Sequence, residues 1–145
     1  MIVVLDQVTK ALATSYLSYG IPFSLFEGLN FTLLHNTGAA FSFLHDQNGW
    51  QRWFLSIVTL LISIGLVVWF CSLRGSQTWM HCAICFVLAG AIGNLLDRLV
   101  LGYVVDFIQL YWRNWYWPAF NLADTSICMG VVMMVFGNSE KQNAV

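Results

Sequence analysis

The chain has 145 residues, of which 59% are apolar and 16% aromatic, and only 9% are charged where an average soluble domain has about 25%. A soluble domain of this length has too little interior to hide that much apolar surface, so the composition calls for lipid as solvent. The net charge of −1 argues against nucleic acid or an acidic molecule as partner.

Four apolar stretches are expected to cross a bilayer, at about residues 1–19, 53–73, 75–98 and 118–137, within one integral-membrane domain covering 1–145. The first stretch is the least regular, because Asp6 and Lys10 fall in its middle. Four residues apart on one helical face, they can neutralise each other. A start inside the helix, with residues missing upstream, is the simpler account of their position. No secretory signal peptide is expected, since the apolar opening lacks a basic flank and a small-residue cleavage site.

Residues 20–52 are too polar and irregular to cross a bilayer. The β-branched and aromatic residues at 30–35, followed by a turn at Asn36-Thr37-Gly38, predict a small sheet in this first loop, resting on the membrane surface. The second and third spans carry no charge over 53–73 and 75–96. The former gives about 32 Å of helix against a hydrocarbon core of about 30 Å. Arg74-Gly75-Ser76-Gln77 is the turn that joins them as an antiparallel hairpin. Residues 99–117 read as a loop, with Tyr111, Trp112, Trp115, Tyr116 and Trp117 as an interfacial aromatic belt. Pro118 suits the first turn of the fourth helix, and Gly137-Asn138 its stop. Cys71, Cys82, Cys85 and Cys128 read as buried small hydrophobes, because Cys82-x-x-Cys85 has no second pair or nearby histidine to complete a site.

Four spans put both long loops on one side of the membrane. Which side is not fixed by charge, since Arg74 and Lys141 face Arg52 and Arg113. Near that surface, residues 90–109 place Asn94, Asp97, Arg98 and Asp106 close together, and Asp124 follows at the start of the next span. Ionisable groups at membrane depth are functional candidates. Two carboxylates in a low-dielectric site cannot both ionise cheaply, so Asp106 and Asp124 are expected to supply one acid and one base near neutrality. Such a pair can activate water and protonate an amide leaving group. Asp97 and Arg98 offer a structural ion pair, or a cation for a carbonyl or a lipid headgroup. Asn36, Asn94 and Asn121 offer amide donors for a substrate backbone or an oxyanion.

Blander alternatives exist. Asp124-Thr125 suits a helix cap, and His35, His45 and His81 are scattered and read as ordinary polar residues. Zinc and serine chemistries lack their signatures, and Ser42 with Lys10 as base lacks the spacing. A proton- or ion-coupled carrier using Asp97, Asp106 and Asp124 as a relay needs carboxylates spread through the bilayer depth. A purely structural membrane subunit leaves the polar density at 90–109 unexplained.

Five blocks in order resemble the lipoprotein signal peptidase family, signal peptidase II, the aspartic membrane proteases of bacteria. They are Asp6-Gln7-Val8-Thr9-Lys10, Asn36-Thr37-Gly38-Ala39-Ala40-Phe41, Gly90-Ala91-Ile92-Gly93-Asn94-Leu95-Leu96-Asp97-Arg98, Val104-Val105-Asp106-Phe107 and Phe120-Asn121-Leu122-Ala123-Asp124. The resemblance implies an all-α inner-membrane protein of four transmembrane helices with a small extracytoplasmic sheet and a loop-helix over the site, drawn from residues 20–52. It implies removal of signal peptides from prolipoproteins, on the N-terminal side of the diacylglyceryl-modified cysteine, at a site toward the periplasmic face. Catalytic roles fall on Asp106 and Asp124. Supporting roles fall on Asn36, Asn94, Asp97, Arg98 and Asn121, and structural roles on Asp6, Lys10 and Gly38. The expected partners are the lipid-modified prolipoprotein and membrane lipid, for a monomer without metal, cofactor or nucleic acid.

Overall fold

A computed structural model describes residues 1–38 and 49–137. In chain order it contains α1 (Ile2–Tyr16), β1 (Phe23–Phe26), β2 (Leu29–Asn36), α2 (Trp50–Ser72), α3 (Thr78–Val100), β3 (Val104–Trp112), β4 (Trp115–Tyr116) and α4 (Leu122–Gly137). The expected stop residue Asn138 and the charge Lys141 lie outside the described residues.

Helices α2 and α3 have 23 residues each and are long and apolar enough to cross a membrane. Their connection is tight, with the Gln77 side-chain oxygen accepting from the Arg74 N–H at 3.0 Å. Helices α3 and α4 pack through small residues, as helices in lipid do where no hydrophobic drive separates them from solvent. A Cβ at Gly130 would come within 2.6 Å of the Ala83 carbonyl oxygen, so the backbones touch there. Ser126 Oγ donates to the Phe86 carbonyl at 2.7 Å across the same seam. The apolar interior is small, with Ala83, Ile84 and Ala123 fully covered, whereas Leu61, Val68, Val132 and Val135 stand more than half exposed. An outside this apolar is solvated by lipid, not water. The four cysteines face outward as well. Their expected burial is corrected, because small-residue packing takes the interior positions.

The sheet departs from expectation. Its order is β1-β2-β3-β4, all antiparallel, so half of it comes from the second loop and the fold is helical with a four-stranded sheet. Residues 104–107 are buried, and a strand covered on both faces reads as an apolar run without alternation. Only the end of that loop behaves as an exposed aromatic belt, with Trp112, Trp115, Tyr116 and Trp117 projecting. Helix α4 begins at Leu122, not at Pro118, because Phe120 is spent on the sheet. Its N–H donates to the Ile108 carbonyl at 2.9 Å, and its carbonyl accepts from the N–H groups of Phe107 and Ile108.

An irregularity in the β2–β3 pairing decides which side chains share a face. Phe31 pairs with Ile108 but Leu34 pairs with Asp106, so β2 spends three steps where β3 spends two. The extra residue is a β-bulge, and a one-residue shift flips every later side chain to the other face. Asn36 thereby comes to the same face as Asp106.

Candidate active site

Asp106 sits on β3, 3% exposed, and not in the irregular loop expected over residues 99–117. Its Oδ2 accepts from Asn36 Nδ2 at 3.0 Å and its Oδ1 from Asn121 Nδ2 at 2.7 Å. Asp124 sits in the first turn of α4. Its Oδ1 accepts from Asn94 Nδ2 at 2.7 Å and its Oδ2 from the Asn121 N–H at 3.2 Å. The Asn121 side-chain oxygen in return accepts from the Asp124 N–H at 2.9 Å. This reciprocal pair is a capping box, with Asn121 as N-cap and Asp124 three residues on. The cap alternative for Asp124 is thus partly right, and it still leaves that carboxylate beside Asp106, both tied to Asn121.

A second carboxylate pair lies behind the first. Lys10 Nζ reaches Asp6 Oδ2 at 2.8 Å, Asp97 Oδ2 at 2.9 Å and Asn94 Oδ1 at 3.0 Å, which uses all three ammonium donors. Asp6 is fully buried, and its Oδ1 accepts from the Ala123 N–H at 2.9 Å, another free donor of α4's first turn. The space for Asp6 depends on Gly93, where a Cβ would fall 2.6 Å from Asp6 Oδ2. The Asp6–Lys10 pair is as expected. An Asp97–Arg98 pair is not formed, because adjacent helical residues point about 100° apart and Asp97 turns to α1. Arg98 instead donates to the Gly38 carbonyl at 3.3 Å and the Asn94 carbonyl at 3.5 Å.

The three asparagines share one logic. Each side-chain oxygen faces a group that can only donate: the Gly38 N–H for Asn36 at 3.0 Å, Lys10 for Asn94, and the Asp124 N–H for Asn121. Each NH2 is therefore forced toward a carboxylate. Gly38 does its part through an Asx-turn.

Burial, and after it the neighbouring Asp124 charge, pushes the Asp106 carboxyl up to about 7, against the opposing pull of Asn36, Asn121 and Lys10. An acid that is half protonated near neutrality suits proton transfer in both directions.

Sequence reasoning missed Gln7, whose Nε2 donates to Asp97 Oδ1 at 2.9 Å and the Gly93 carbonyl at 3.2 Å. Its place between Asp6 and Lys10, three residues before the latter on the same helix, was the available signal. His35 stacks on Tyr103 with centroids 3.9 Å apart, and burial lowers its pKa. His81 Nδ1–H donates to the Gln77 carbonyl at 2.8 Å, one turn back at the start of α3. Ser42, His45 and residues 39–41 of the second block lie outside the described residues, as does part of the expected loop-helix.

A lipid-facing helical frame with charge gathered into one buried network is the frame of a membrane enzyme, and comparison with known proteins agrees. A bacterial membrane enzyme solved by the in meso method superposes with a TM-score of 0.87 at 34% identity, over 99% of this chain and 87% of that one. The lipoprotein signal peptidase of Pseudomonas aeruginosa is 50% identical over 136 residues, covering 92% of this chain and 80% of that protein. That of Teredinibacter turnerae is 47% identical over 137 residues, covering 94% and 81%. The profile described as Signal peptidase (SPase) II matches residues 1–138, and the chain belongs to that family.

Proposed function

We propose that the protein is an aspartic endopeptidase that removes signal peptides from prolipoproteins, cutting on the N-terminal side of the diacylglyceryl-modified cysteine. The observation that carries the chemistry is the joint hold of Asn121 on both Asp106 and Asp124. In this reading the pair carries one proton. Asp106 is its acid, and Asp124, at the positive end of α4 with two N–H donors on it, is its carboxylate.

Water held between them loses a proton to Asp124 as its oxygen attacks the scissile carbonyl carbon. Asp106 donates its hydrogen bond to the developing oxyanion. When the tetrahedral intermediate collapses, the C–N bond breaks and the proton on Asp124 passes to the leaving amine. Arg98 and the asparagines hold the polar backbone beside the bond. The acyl chains enter sideways from lipid and lie in apolar grooves between helices. All four helices cross the bacterial inner membrane in this picture, with the dyad and sheet toward the periplasmic face, and the protein acts as a monomer.

The test compares cleavage of a diacylglyceryl-modified prolipoprotein with that of its unlipidated form, using wild type, Asp106→Asn and Asp124→Asn. Turnover of the lipidated form by wild type alone supports the reading. Full activity of either variant overturns the dyad, and equal turnover of the two substrates overturns lipid recognition.

A further inference from the structure

The strand that carries Asp106 has one edge without a neighbour. In an antiparallel strand the N–H and C=O of one residue point to the same side, and the side alternates from residue to residue. Strand β2 takes one edge of β3. Among the described residues no strand runs along the other edge at 104–107. There β4 pairs only with Tyr111 and Trp112, and Phe120 adds one bridge at Ile108. Buried N–H and C=O groups on such an edge need partners from elsewhere.

At Val105, the residue before Asp106, side chains supply them. Its N–H donates to Asp97 Oδ2 at 3.2 Å, and its carbonyl accepts from Asn121 Nδ2 at 3.2 Å. Two residues on, the Phe107 N–H donates to the Phe120 carbonyl at 3.1 Å. Asp97 and Asn121 thus stand where the next strand would. Asp97 is placed for this by its own backbone. Its carbonyl accepts from the N–H groups of Leu101 at 2.7 Å and Gly102 at 3.2 Å, which ends α3. One residue therefore closes the helix with its carbonyl and receives the strand with its carboxylate. That carboxylate is fixed in turn, Oδ2 by Lys10 and Oδ1 by Gln7 Nε2, each at 2.9 Å. At 3% exposure, with donors on both oxygens, it has no open side for a substrate.

We propose that Asp97 is a positioning residue for the cleavage, acting through the Val105 peptide to hold Asp106 in register with Asn121 and Asp124, and never touching substrate. The proposal rests on the aspartic dyad reading. It sets Asp97 apart from the dyad in kind, since what Asp97 contributes is an acceptor for one backbone N–H and not a proton.

The experiment removes each end of that bond. Asp97→Leu keeps the bulk and deletes the acceptor, and α-hydroxyvaline in place of Val105 deletes only the N–H. Asp97→Asn keeps one oxygen for Lys10 and Val105, while Gln7 turns its own oxygen to the new NH2. Gly130→Ala, which strains the α3–α4 seam, controls for lost stability. With a diacylglyceryl-modified peptide in micelles, Asp97→Leu should lower kcat about 10²-fold, as a misplacement of about 1 Å does, and keep KM within about twofold. The ester should lower kcat about tenfold or more, its loss should not add to that of Asp97→Leu, and Asp97→Asn should stay within about tenfold of wild type. Gly130→Ala should leave kcat unchanged below its melting temperature. Additive losses, a raised KM with kcat kept, or a loss of about 10²-fold in Asp97→Asn would each overturn the proposal. Should Asp97→Leu not fold, the ester variant decides, and wild-type kcat there refutes it. Hydrogen exchange of the substrate-free protein separates this claim from the dyad. Amides at 104–107 should exchange about tenfold faster in Asp97→Leu, or in the ester variant, with those of α2 unchanged. That result supports the hold on the strand even if Asp106→Asn still cleaves, and unchanged exchange sinks it even if the dyad is confirmed.

Discussion

Replacing Lys10 by methionine is the sharpest test of the network behind the dyad. The substitution keeps the length of the side chain but removes three donors at once, from Asp6 Oδ2, Asp97 Oδ2 and Asn94 Oδ1. Asp6 is fully buried and Asp97 nearly so, so neither carboxylate can turn to water. Breaking a buried ion pair by removing one partner costs about 3–5 kcal/mol. At about 3–4 °C per kcal/mol for a chain of this size, the melting temperature should fall by about 10–20 °C. Activity should fall too, because Lys10 at 3.0 Å is the closer of the two donors, Asn121 Nδ2 at 3.2 Å being the other, that hold the Asn94 oxygen and turn its NH2 toward Asp124. Thermal unfolding in detergent, read beside cleavage, measures both. Combining Lys10→Met with Asp6→Asn and Asp97→Asn should recover much of the stability, since the stranded charges are gone. A melting temperature within 2–3 °C of wild type for Lys10→Met alone, well below what about 3 kcal/mol implies, would refute the reasoning.

Asp106→Asn and Asp124→Asn should each lower the cleavage rate by about 10²–10⁴-fold or more while leaving detergent-solubilised protein folded by circular dichroism; a loss below tenfold would remove that carboxylate from the chemistry. The acid form of Asp106 is present below about 7, so cleavage should decline as pH rises through that value, and a rate that keeps climbing to pH 9 would contradict its role as acid. The same shift has a stability consequence. A carboxyl raised from 3.8 to about 7 favours the folded state fully below pH 3.8, and that contribution is lost as pH rises through about 7, worth up to about 4 kcal/mol at 1.36 kcal/mol per pH unit. Asp106→Asn should therefore melt higher relative to wild type at pH 8 than at pH 4, as paired thermal scans will report. Gly93→Ala should cost about 1–3 kcal/mol by forcing Asp6 off the Ala123 N–H, and a neutral effect on melting would show that the carboxylate has room to move.

The two central carboxylates were legible because a charge in an apolar chain stands out against its cost. Their neighbourhood was not. Asp106 was read into a loop, since a strand buried on both faces carries no alternation, and the sheet was assigned to the first loop alone. The bulge that turns Asn36 toward Asp106 is a matter of register between strands about 70 residues apart. Lys10 was paired correctly with Asp6, four residues away, but its bond to Asp97 crosses from one helix to another. Adjacent Asp97 and Arg98 suggested a pair because sequence shows proximity and hides direction. For the same reason it named the three asparagines without revealing which end of each amide faces the acid.

The hydrogen bond from the Ala123 N–H to Asp6 joins the first helix to the start of the last, and it has a bearing on how the protein comes into being. A chain synthesised from its N-terminus makes Asp6 and Lys10 early, then the strand bearing Asp106, and only at the end the turn bearing Asn121 and Asp124. Until that final helix docks, Asp106 lacks its Asn121 donor and its companion carboxylate, and Asp6 lacks one of its partners. If the proposed dyad does the cutting, the site is complete only when this last helix docks, and a half-inserted nascent chain should cleave nothing.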